Sequence, residues 1–172
     1  MDRGKFNHHD EQILAVAPVR MKAGIFSSEN YNLVLTNKRF IFAIYNAEML
    51  KKEASVESQK SMEEGRSIWG RIYSLMGTRA AYHKRYLVMR PQEILAENND
   101  NFYCVHELIN QIELKKSRNL YDSEGEYKGE EAGRILIKTV DLSYKLDVES
   151  FVDIAEFRSH LKSIFTHRYK ER

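Results

Sequence analysis

Cys104 and His106 stand two positions apart, with Glu107 beside them. On a strand, alternate residues share a face, so a thiol and an imidazole would lie side by side as a cysteine nucleophile requires. Such a pair also needs a pocket and a third group to orient the base, and a lone cysteine in an apolar stretch is more often packed in a core. His8-His9-Asp10-Glu11 is an unbroken run of metal-capable side chains. No second ligand cluster follows it at diagnostic spacing. Cys104 is the only cysteine, which rules out an internal disulfide and a cysteine zinc cluster. The chain has no Gly-rich phosphate loop, metalloprotease helix motif or nucleophile elbow. We therefore expect no enzyme, and no catalytic, metal-binding or cofactor-binding residues.

The stretch from Arg66 to Arg90 carries more information. It holds Arg66, Arg71, Arg79, Lys84, Arg85 and Arg90, no Asp or Glu, and the rings of Trp69, Tyr73, Tyr82 and Tyr86. At helical spacing Trp69, Ile72, Tyr73, Met76 and Ala80 share one face, while Arg71 and Arg85 lie opposite. A basic helix with a ring-rich apolar face suits the interface of an anionic membrane. The same face would also pack on its own domain or on a second copy, with Gly70 and Gly77 allowing close approach. Interleaved basic and aromatic residues describe a nucleic-acid surface as well. No RNA-binding or helix-turn-helix pattern accompanies them, and the formal net charge is only +2, which makes nucleic acid the weakest of these partners. Acidic segments 93–113 and 122–131 could neutralise the patch within the fold or across a dimer. The candidate interaction surface is Arg66, Trp69, Arg71, Tyr73, Arg79, Lys84, Arg85 and Tyr86.

At 172 residues, with 42% hydrophobic and 30% charged residues, the chain fits one ordinary globular domain. The N-terminus lacks a secretory pattern, and no apolar run is long enough to cross a bilayer. A cytoplasmic protein is expected, with peripheral membrane contact left open. Ile13 to Val19 reads as a strand, with Pro18 suggesting an edge or bulge. Tyr31–Thr36 and Arg39–Tyr45, joined by Asn37-Lys38, form a hairpin. From Ala47 to about Arg90 helix formers dominate, broken by Gly65, Gly70 and Gly77. Pro91 opens a helical turn to Ala96. Strands follow at Phe102–Val105 and Ile109–Lys115, then a polar, mobile loop from Arg118 to Gly133. Ile135–Thr139 and Ser143–Val148 make a second hairpin. The last element is a helix with Ser150 as N-cap and Asp153 three residues on, its stripe formed by Ile154, Phe157, Leu161, Ile164 and Phe165. Strands first and one amphipathic helix last predict an α+β, mainly β fold: an antiparallel sheet covered by that helix.

Leu33-Val34-Leu35-Thr36-Asn37-Lys38-Arg39-Phe40-Ile41-Phe42 resembles the hairpin of bacterial and archaeal pleckstrin-homology (PH)-like domains, which are related in shape to GRAM domains. Glu93 to Phe102, the strand Ile109 to Leu114, and the final hairpin and helix also resemble that family. The resemblance covers roughly 11–46 and 93–167. It implies a single domain over 1–172, a seven-stranded antiparallel sandwich or partly open barrel. A C-terminal helix at 151–167 caps it, and 47–92 is a helical insertion between the third and fourth strands. It also implies binding of lipids, peptides or proteins without reaction. The loop matching the phosphoinositide-binding loop of eukaryotic relatives offers only Arg20 and Lys22. The expected function is a non-catalytic module that binds a protein partner, a second copy included, or an anionic membrane through the insertion. A structural homodimer without small ligand and a nucleic-acid binder are the alternatives.

Overall fold

The structure is a computed structural model and describes residues 10–22, 27–52, 82–121, 123–131, 133–149 and 154–172. Ten strands occur among these: β1 (Ile13–Lys22), β2 (Ser28–Thr36), β3 (Arg39–Tyr45), β4 (Phe102–Val105), β5 (Ile109–Lys115), β6 (Arg118–Tyr121), β7 (Tyr127–Glu131), β8 (Arg134–Thr139), β9 (Ser143–Val148) and β10 (Tyr169–Glu171). The helices are α1 (47–52), α2 (Pro91–Ala96) and α3 (Ala155–Phe165), with a helical turn at 82–88. Eight strands form one open sheet in the order β10-β5-β8-β9-β1-β2-β3-β4. Every pairing in it is antiparallel except that of β10 with β5.

The sheet is strongly curled. In a flat sheet β9 and β4, four steps apart, would be separated by about 19 Å at the usual strand spacing. Instead the rings of Tyr144 on β9 and Phe102 on β4 are 6.0 Å apart, and Tyr144 lies 5.1 Å from Phe42. The concave face gathers Val19, Leu33, Phe40, Phe42, Cys104, Ile112, Ile135 and Leu146 into one core. On α3, Phe157, Leu161 and Phe165 recur every fourth residue and close that core, Phe165 stacking on Phe40 at 5.8 Å. Ile109 and Ile112 both point inward although three positions apart, because an irregularity between Ile109 and Gln111 absorbs the odd residue.

The turn of the first hairpin clasps the N-terminal segment. Thr36 Oγ1 accepts the N–H groups of Lys38 and Arg39 at 3.1 and 2.9 Å and donates to Glu11 Oε1 at 2.8 Å. Asn37 exchanges backbone and side-chain hydrogen bonds with Asp10 and Gln12. The Arg39 guanidinium pairs outside its own hairpin. Its Nε and Nη2 donate to Glu11 Oε1 and Oε2, both at 2.8 Å, with side chains 8% and 3% exposed, and its guanidinium lies 4.6 Å from the Tyr103 ring centre.

Several expectations need correction. The stretch 118–133 is not a plain loop: β6 and β7 form a separate antiparallel ribbon whose turn uses Gly125 at φ +83°. Its strands carry little apolar sequence, so core-seeking periodicity could not reveal them. The large sheet has eight strands instead of seven, since β10 adds itself to β5. Pro18 sits on an interior strand, not an edge or bulge. Its carbonyl accepts the Glu149 N–H, so its missing donor faces the same side, where the β1–β9 ladder has ended at Val19 and Val148. Helix α3 opens at Ala155 with Ile154 in the N-cap position. Ser150 and Asp153 lie outside the described residues.

Candidate functional site

The hairpin strands β2 and β3 are buried on both faces, which is why Phe40 to Tyr45 is apolar without alternation. Outward-facing Val34, Ile41, Ala43 and Tyr45 form a second core with Tyr82, Tyr86 and Ile94, bordered by Leu50, Met89 and Leu95. Both described ends of the 47–92 segment, which joins β3 to β4, thus pack on the sheet. Tyr82 and Tyr86, one helical turn apart, point the same way, and their rings meet edge to face at 6.1 Å. Arg85 lies over both rings, 4.7 and 5.1 Å from their centres, and pairs with Glu97.

Tyr86 is therefore core and not surface. Burial pushes its phenol far above the ordinary range. Arg85 serves to anchor the turn. Helical spacing tells which residues share a face but not which face is covered. Lys84 is half-buried beside them, while Leu87 (47% exposed), Val88 (71%) and Arg90 project outward. Glu93 caps the following helix by accepting the Arg90 N–H at 3.0 Å. Arg66, Trp69, Arg71, Tyr73 and Arg79 lie outside the described residues. Arg20 reaches Glu149 at 3.6 Å, and both Arg20 and Lys22 lie on β1 itself, Lys22 exposed at its end, instead of on a loop.

The middle of β2 holds an unexpected buried polar group. Asn32 is 1% exposed, flanked across the sheet by Pro18 and Ala43, and neither atom of its amide has a hydrogen-bond partner. An unpaired buried amide costs about 1–3 kcal/mol. Asn32→Leu, which keeps the shape, is expected to stabilise the fold by about that amount, read as a higher urea midpoint with an unchanged slope.

Cys104 and His106 are both buried, on β4 and on the short turn after it. Burial pushes the Cys104 thiol up and pulls His106 down to about 4, so at neutral pH the thiol keeps its proton and the imidazole is uncharged. His106 packs between Phe40 and Phe165, at 5.5 and 4.9 Å, as a core residue. His8 and His9 lie outside the described residues, and Glu11 is committed to Arg39. Among the described residues no three His, Cys, Asp or Glu side chains gather as a metal site, and no helix is long and apolar enough to cross a membrane. Compared with models of known families, with curated proteins and with solved structures, the chain matches none.

Proposed function

We propose that the chain is a non-catalytic interaction domain of the PH-like type that rests on an anionic membrane surface through its 47–92 insertion. The strand order supports the fold half of this reading. A first antiparallel run β1–β4 and a second run β5-β8-β9 join where β9 pairs with β1, and a late helix covers the concave face. The non-catalytic half rests on the buried, protonated Cys104 and the uncharged His106. A cytoplasmic, peripheral location goes with it.

The observation that carries the membrane reading is the turn after Tyr86. Its inward rings hold it on the sheet, and the next two residues, Leu87 and Val88, are thrust into water. They sit within the acid-free stretch Arg66 to Arg90, with the Arg90 side chain 84% exposed. Exposed aliphatic residues flanked by cations insert at headgroup level while the cations meet the surface charge, each near-surface cation contributing about 1 kcal/mol.

Sedimentation with phosphatidylserine-containing vesicles tests this. The chain is expected to pellet with them at low salt and to release at raised salt, where headgroup attraction is screened. Arg90→Glu should weaken partitioning by roughly tenfold or more, Trp69→Ala should also weaken it, and the Leu87→Ser/Val88→Ser pair should weaken it without changing the unfolding midpoint. Absence of wild-type binding at low salt would remove the membrane reading and leave a protein partner for this surface.

A further inference from the structure

The far edge of the sheet is closed by the chain itself. After α3 the chain turns back over Thr166–Arg168 and lays β10 parallel to β5, with Tyr169 opposite Ile112, Lys170 opposite Glu113 and Glu171 opposite Leu114. The fit is specific. Glu171 sits among three cations: Lys162 at 2.7 Å, Lys116 at 2.8 Å and Arg158 at 3.4 Å. Arg172 reaches Glu113 at 3.4 Å, and its N–H donates to the Leu114 carbonyl at 2.9 Å. Tyr169 packs against the main core under the Lys162 ammonium.

The reversal that delivers this strand is strained. Thr166 adopts φ 29° and ψ −91°, the only non-glycine positive φ among the described residues. A β-branched residue is disfavoured there. A short strained hinge before a well-fitted edge strand is the arrangement in which exchange between copies relieves strain while keeping every strand contact. We propose that the chain forms a two-fold dimer by exchanging β10, each copy laying Tyr169–Glu171 along β5 of the other. In the exchanged form the Thr166–Arg168 turn opens out, and Glu171 of one copy enters the Lys116–Arg158–Lys162 pocket of its partner. In the strand order β10 is the edge opposite β4, and no residue of the exchanged strand or its pocket is among those proposed to meet the membrane. The dimer therefore stands or falls independently of membrane docking.

Light scattering on a size-exclusion column over a concentration series reads the result. Wild type should shift from monomer to dimer as concentration rises. Thr166→Gly, which removes the Cβ share of the strain, should raise the concentration needed by about tenfold or more. Two charge-reversed chains give the decisive comparison: Glu171→Lys, and Lys116→Glu/Lys162→Glu. Each alone mismatches its strand and pocket and should stay monomeric. Mixed, they match reciprocally only across a dimer and should form a one-to-one complex. A wild type that stays monomeric at every concentration overturns the proposal, as does a dimer indifferent to Thr166→Gly and Glu171→Lys. If a reversed chain fails to fold, the Thr166→Gly series decides alone.

Discussion

Arg39→Ala is expected to lower the unfolding free energy by about 3–5 kcal/mol, seen as a large drop in urea midpoint. The guanidinium satisfies both oxygens of a carboxylate that is almost entirely out of water. Removing it leaves Glu11 charged, with only the Thr36 hydroxyl as donor from the turn. The same change loosens the N-terminal segment from the hairpin and removes the cation over Tyr103. A double-mutant cycle separates the pair from the penalty. Glu11→Leu with Arg39→Met removes both charges together and should recover most of the loss, because the isolated buried charge is the costly state. Equal, additive costs for both single changes and the double would show that the two side chains do not act as a pair.

Acid should weaken the fold well before carboxylates are titrated. His106 is buried against two phenylalanine rings, and burial lowers its pKa from 6.5 to about 4; Arg168 nearby lowers it further, while Glu107, Glu11 and a hydrogen bond to the Arg39 backbone oppose the fall. The unfolded chain takes up the proton near 6.5, whereas the folded one resists it. Stability is therefore complete above pH 6.5 and is lost progressively as pH falls to about 4, by about 3 kcal/mol at about 1.4 kcal/mol per unit. His106→Leu should flatten urea midpoints across that window. A second window lies lower. Glu171, hydrogen-bonded to Lys116 and Lys162, is held at about 2, so its contribution is present above its ordinary 4.5 and fades below it. A His106→Leu protein with the wild-type slope between pH 6.5 and 4 would contradict this assignment.

The first hairpin was legible because turn residues and β-branched runs act locally. The strands at 102–105 and 143–148 and the stripe of α3 were legible because each faces one core with one period, and 109–115 was legible from its apolar content despite the irregularity after Ile109. Less visible was everything that depends on distant partners. Arg39 could be read as a turn residue, but its true partner, Glu11, lies 28 positions away. Tyr86 looked like an interface ring because its cover, the outer face of β3, comes from another part of the chain. A signal was available: Phe40 to Tyr45 has no wet alternate positions, which a strand shows when both sides are covered. The strand β10 spans three residues, too few for any pattern. Of the candidate surface, Arg85 and Tyr86 are turned to anchoring, Lys84 is half-buried beside them and the other five residues lie outside the described ones, while Leu87, Val88 and Arg90, which the pattern did not single out, face outward.

The doubly buried hairpin bears on how this molecule can change over time. Most embellishments of a small β domain can be lengthened, shortened or lost without the host noticing. Here the hairpin is one wall with two rooms, Leu33, Leu35, Phe40 and Phe42 facing the main core and Val34, Ile41, Ala43 and Tyr45 facing the segment between β3 and β4. Trimming the insertion would strand that row in water as a ready adhesive for other chains, so the wall and its cover must vary in concert. The hairpin and its cover therefore act as one packed unit, and neither can be altered alone without exposing the other.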